Sequence, residues 1–219
     1  MRQPVIRRMA MTTTLAGAVT LASMAWAGVA HGDETSDLFA LQNRVEYVLA
    51  EAPEDEREAA LSELADDARA LAEKQPDNAE LLVWKGLVLA SYAGERGGLG
   101  ALGDAKAARK SLERAIEIDP EGNNGSAYVT LGVLYHRVPG GLIAFGDSDK
   151  ADRMFQRALE IRPDGIDVNY YYASFLDEEG RREEAREHAR KAVNGTAREA
   201  REASDESLRE DARELLDSL

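Results

Sequence analysis

A 24-residue stretch, Gly97–Pro120, occurs twice in this chain, and that repetition limits its folds more than any other feature. GGLGALGDAKAARKSLERAIEIDP returns at Gly140–Pro163 as GGLIAFGDSDKADRMFQRALEIRP, with 12 of 24 positions identical at a constant offset of 43. Internal periods of this length belong to stacked supersecondary units that cannot bury an apolar face alone and do so against their neighbours.

The apolar pattern inside the repeat identifies the unit. Ala108, Leu112, Ala115, Ile116 and Pro120 recur as Ala151, Phe155, Ala158, Leu159 and Pro163. Leu64, Ala68, Leu71, Ala72 and Pro76 keep the same spacing upstream, and Ala185, Ala189, Ala192 and Val193 keep it downstream, with Asn194-Gly195 replacing the proline. Spacings of i, i+4, i+7 and i+8 describe one face of an α-helix, and a following proline or glycine stops it. An amphipathic segment precedes each of these helices: about 37–50 (capped by Ser36), 78–93, 124–137 and 167–179. The expectation is an all-α solenoid of about three and a half helix-turn-helix hairpins.

The N-terminus differs in kind. Arg2, Arg7 and Arg8 precede an uncharged run from Met9 to Gly32, the layout of a secretory signal, with Ala25-Trp26-Ala27 or Ala30-His31-Gly32 as the small-residue cut. Residues 1–32 are read as this signal, 33–195 as the helical repeat domain and 196–219 as a C-terminal capping helix. The chain has no cysteine, which excludes disulfides, thiolate metal sites and cysteine-linked lipid. Loss of residues 1–32 removes three arginines and no acid, moving the formal net charge from −14 to −17. So acidic a protein is repelled by nucleic acid and anionic lipid, so neither nucleic acid nor, after signal cleavage, membrane is expected as a partner.

Tyr128, Leu131, Gly132, Tyr135, Ala151, Phe155, Ala158 and Pro163 resemble the tetratricopeptide signature, W/Y-x2-L-G-x2-Y followed by A-x3-F-x2-A and proline. Gly86 and Ala173 hold the small-residue position in the flanking copies. The resemblance implies a right-handed superhelix of stacked hairpins. The periods depart from the usual 34 residues: Pro76 to Pro120 is 44 and Pro120 to Pro163 is 43. The excess places two enlarged glycine-rich loops inside the hairpins, both reading GGLxAxGD. They are expected side by side at one edge of the stack, with Asp104 and Asp147 as N-caps and Leu99, Leu142 and Phe145 tucked beneath.

Together these features are similar to exported bacterial tetratricopeptide proteins, in particular the T-component of tripartite ATP-independent periplasmic (TRAP) transporters. That resemblance implies a periplasmic or secreted protein working with a protein or peptide partner in the envelope, a periplasmic substrate-binding protein among them, and assembling as a homo-oligomer. In the tetratricopeptide family the first helix of each hairpin lines the concave face. Carried onto this chain, the ligand- or partner-binding positions are Val129, Val133, His136 and Arg137, then Tyr170, Ser174 and Asp177. Leu142 and Phe145 join them from the second loop, and Val83, Leu87, Ala90 and Ser91 form a more apolar wall. Of Tyr170-Tyr171-Tyr172, at least one must look outward or into a groove, because successive helical positions diverge by about 100°.

The inventory argues against an enzyme. There is no cysteine nucleophile, the histidines are His31, His136 and His188, and no metalloprotease, esterase or phosphate-loop motif occurs. No catalytic residue, metal or cofactor is expected. The leading function is non-catalytic protein–protein interaction in the cell envelope. The alternative, periplasmic small-molecule binding or a transporter accessory role, requires a closed apolar pocket bounded by the glycine-rich segments and Val83, Leu87, Val129 and Val133. At the C-terminus, Thr196-x-x-Glu199 and Ser207-x-x-Glu210 read as capping boxes.

Overall fold

The computed structural model describes residues 30–219, so the expected signal segment falls almost wholly outside the described residues. The chain folds as α1 (Ala30–Ala50), α2 (Glu54–Lys74), α3 (Ala79–Arg96), α4 (Gly98–Ile118), α5 (Ser126–Arg137), α6 (Ser148–Ile161), α7 (Ile166–Glu178), α8 (Arg182–Asn194) and α9 (Glu202–Ser218), with a 3-10 turn at Glu199–Arg201. It is an all-α stack of tetratricopeptide-like hairpins, α1/α2, α3/α4, α5/α6 and α7/α8. The first helices also touch one another, α1 to α3, α3 to α5 and α5 to α7, forming an inner layer backed by the even-numbered helices.

The repeated apolar pattern makes the core. Ala108, Leu112 and Ala115 of α4 are buried, as are Ala151, Phe155 and Ala158 of α6 and Ala185, Ala189 and Ala192 of α8. In the two middle hairpins, α3/α4 and α5/α6, a glycine on the first helix receives the large residue of the second. A Cβ at Gly86 would lie 2.5 Å from Leu112 Cγ, and one at Gly132 would lie 2.7 Å from Phe155 Cε1. The small residue is therefore what sets the close helix approach, as ridge-into-groove packing requires.

The second glycine-rich segment is the expected loop, but the first is helical. Pro139 cannot donate a backbone hydrogen bond, and it pushes Val138 into extended geometry (φ −74°, ψ 134°), so α5 stops at Arg137. The matching position of the earlier copy is Arg96, which continues α3. Only Gly97, at φ 61°, then separates α3 from α4, and GLGALG becomes the first turns of α4. Asp147 caps α6 by accepting the Lys150 N–H at 2.9 Å. Asp104, by contrast, lies inside α4 and binds Arg69 at 2.6 Å, a correction of its expected capping role.

Two further expectations change. Ser36 lies within α1, which begins at Ala30. Neither C-terminal capping box forms: α9 begins at Glu202 with no side-chain cap, and Ser207 sits inside it.

Candidate functional site

The inner layer is not filled with side chains. It encloses a cavity of about 1120 Å³ lined by α3, the first turns of α4, α5, the 138–147 loop, α7 and α9. The wall is chiefly hydrocarbon, with Leu87 and Ala90 from α3, Ala101, Leu102 and Ala105 from α4, and Val129, Val133 and Leu134 from α5. Both glycine-rich segments reach it, through Gly97, Gly98 and Ala101 on one side and Gly140, Ile143 and Ala144 on the other. The local chemistry explains the hollow. Glycine and alanine carry little side-chain volume, so where they face inward the adjacent helices leave space.

The loop is built to hold its shape beside that space. Gly146 N–H donates to Pro139 O at 3.0 Å, and Asp147 N–H donates to Tyr135 O at 2.9 Å. A Cβ on Gly146 would stand 1.8 Å from Val138 O, so the fold tolerates only glycine there. Phe145 packs inward, edge-on to Tyr135 at 5.8 Å and beneath the Arg109 guanidinium at 4.5 Å. Leu142 does not tuck under the stack. It is fully exposed (107%), and the Ile143 side chain beside it is 70% exposed while also lining the cavity. The side chain of Leu99 lies outside the described residues.

Helix α9 forms one wall of the cavity. It packs on α8 and α7 and reaches α1, contributing Ser204, Ser207, Leu208 and Asp211 to the lining. It is held by polar contacts at both ends of a short span. Arg201 pairs with Glu46 of α1 and stands over the Trp84 ring at 5.0 Å, and the Ser204 hydroxyl donates to the same carboxylate at 2.6 Å. Arg198 donates to Asp205 at 2.6 Å and pairs with Asp167 at 3.1 Å. Arg162 grips Asp167 through both carboxylate oxygens, at 2.6 and 2.7 Å. Burial alone would raise the Asp167 carboxyl, but Arg198 and Arg162 more than reverse that and hold it below the ordinary range. A buried charge network of this kind is stable only while every member is matched.

The positions inferred from sequence divide in two. Val129, Val133 and Arg137 line the cavity. His136 turns away, its ring edge-on to Phe175 at 5.2 Å and its Nε2 3.2 Å from Glu178. Ser174 accepts a hydrogen bond from Arg137 at 3.3 Å, Asp177 pairs with Arg182, and Tyr170 lies near Asp211, all outside the lining. Val83 is core. Of the three consecutive tyrosines, Tyr172 is buried and donates to Asp152 at 2.8 Å, while Tyr171 faces the cavity, where desolvation first and Tyr170 second push its hydroxyl up to about 12. The Asp167–Arg162–Arg198–Asp205 network and the α9 wall were not singled out from sequence. The signals present, two Asp and two Arg among dozens of charges, have no spacing that distinguishes them from solvated helix surface.

Among the described residues, no group of three or more His, Asp or Glu could hold a metal ion, and no helix is long and apolar enough to cross a membrane. A search of curated proteins finds no match. Among solved structures, the crystal structure of MamA is similar over 64% of this chain and 91% of its own, at 21% identity and a TM-score of 0.35, a likeness too distant to bear on the site. The sequence profile of the TRAP transporter T-component matches residues 40–185, from α1 into α8 and so through both glycine-rich segments. The chain belongs to the TRAP transporter T-component family.

Proposed function

We propose that this protein is a non-catalytic accessory component of a TRAP transporter that holds one small apolar molecule in the cavity under α9. The observation that carries this reading is the cavity itself. At about 1120 Å³ it lies just above the usual range of small-molecule sites, about 300 to 1,000 Å³. Leu87, Val129 and Val133 and both glycine-rich segments line it, which supports the small-molecule alternative, although Val83, expected with them, is buried in the core. The environment we assign is the periplasm, on the basis of the basic and apolar layout of residues 1–32.

N-phenyl-1-naphthylamine, a neutral dye that brightens in apolar surroundings, tests this directly. The chain from residue 33 should take it up at about one molecule per protein. Val133→Trp, which projects a large ring into the cavity, should sharply weaken uptake with the helical circular dichroism unchanged. Equal uptake by both would overturn the reading.

A second reading, compatible with the first, is docking of an envelope protein at the cavity's rim. Leu142 and Ile143 favour it, being exposed aliphatic side chains on a braced loop. A periplasmic substrate-binding protein is the partner we assign, on the strength of the family. Leu142→Glu, which lies outside the cavity lining, should eliminate its capture from a periplasmic extract while leaving dye uptake intact; unchanged capture would exclude this rim.

A further inference from the structure

The charges around the cavity narrow the chemistry of its occupant, on the reading that it holds a small molecule. Four charged side chains line it: Arg137, Asp167, Arg201 and Asp211. Three are already matched by groups of the protein. Asp167 is held between Arg162 and Arg198. Arg201 pairs with Glu46. Arg137 pairs with Glu178 at 2.9 Å and donates to Ser174 at 3.3 Å.

Asp211 is the exception. Among the described residues no cation forms an ion pair with it, and its strongest charged neighbour is a second acid, Glu214. Partial burial, and after it Glu214, push the Asp211 carboxyl upward. Tyr170, across from it on α7, feels both acids as well as Arg137.

A molecule with a carboxylate or phosphate end would find no unmatched cation here. To gain one, it must compete with Glu178 for Arg137 or with Glu46 for Arg201, and the nearly buried Arg201–Glu46 pair resists the exchange. It would also meet Asp211 as a like charge. An ammonium or hydroxyl end meets the opposite situation: an acceptor on the cavity wall that lacks a donor among the described residues of the protein. Attraction between such groups is stronger beside an apolar wall than in bulk water.

We infer that the cavity takes an apolar molecule whose polar end is a cation or a neutral hydrogen-bond donor, an amine or an alcohol, and that it discriminates against an acid of the same chain length. Asp211 is the specificity-determining residue. The rest of the wall supplies affinity through burial of hydrocarbon, which is indifferent to head group.

The test is displacement of N-phenyl-1-naphthylamine from the chain beginning at residue 33, using dodecylamine, dodecanol and dodecanoate below their aggregation concentrations at neutral pH. The amine and the alcohol should displace the dye at concentrations about tenfold lower than the acid. Asp211→Asn should bring amine and acid within about twofold of each other. Asp217→Asn, which removes an exposed acid of the same helix outside the cavity, should leave the gap as it was. Equal or tighter binding of dodecanoate overturns the inference, as does a gap unmoved by Asp211→Asn or moved equally by Asp217→Asn. Those outcomes leave the cavity reading standing. Failure of the unmodified chain to take up the dye would sink both.

Discussion

Single residues carry opposite consequences at equivalent places in the two copies. Gly103 and Gly146 occupy matching positions of the repeat, yet Gly103 is helical with open space around its Cα, and Gly146 is pressed against Val138 O. Gly103→Ala should stabilise the fold by about 0.5–1 kcal/mol, the ordinary helix preference of alanine, and Gly146→Ala should lower the melting temperature by several degrees. Thermal unfolding of the two variants measures both signs, and the same sign in each would contradict the divergent conformations. Tyr171 makes a pH prediction. An ordinary tyrosine ionises near 10 and this one is raised to about 12. Its neutral form is therefore favoured by folding, and the corresponding stability is whole below pH 10 and fades as pH rises from 10 through 12. Tyr171→Phe should flatten that alkaline loss, about 2 kcal/mol by linkage, in denaturant titrations across the interval.

Among the elements, α9 differs from the other helices in how it is attached. Its buried side chains are Ser204, Asp205 and Ala212, so ion pairs and hydrogen bonds, rather than apolar burial, tie it down. Ending the chain after Thr196 should leave the four hairpins folded, because the hydrophobic core contains no buried side chain from α9. The same truncation should lose most dye uptake, because the cavity loses a wall. A chain that unfolds entirely on truncation would show that the charge network does more than close the site. The sequence reads residues 196–219 as a capping helix, and Leu208, Ala212, Leu215 and Leu216 fall there on one narrow stripe. That stripe identifies a helix but not what it packs on, since a spacing rule has no information about the partner surface.

For the whole molecule, stability should depend on the occupant. A ligand that binds only the folded chain at a hundred times its dissociation constant adds about 2.7 kcal/mol. Dodecanol should therefore raise the melting temperature by several degrees, and Val133→Trp should sharply reduce the rise; scanning calorimetry of both proteins reads the difference. The architecture behind this was legible before any coordinates. Gly86, Gly132, Leu112 and Phe155 all stand at positions of the repeat pattern, and the burial of Ala108, Ala151 and Ala185 follows from helical periodicity. Part of the cavity wall, Leu87, Val129 and Val133, stands at positions the sequence reading named. His136, Tyr170 and Ser174 were grouped with them because a family-wide concave face does not say where a particular chain lays its last helix.

By itself, then, the sequence determined the stacked hairpins, their small-for-large packing and the stop signals between them. Each depends on residues within one or two helical turns, or on the next repeat along, and such interactions leave a periodic trace. Only the tertiary structure decided that one glycine-rich copy winds into α4 while the other loops out, that α9 crosses to α1, and that a cavity is left between them. The contact between Ser204 and Glu46 spans 158 positions, and no local pattern records a bond of that length. Its partners are ordinary polar side chains until the stack brings them together.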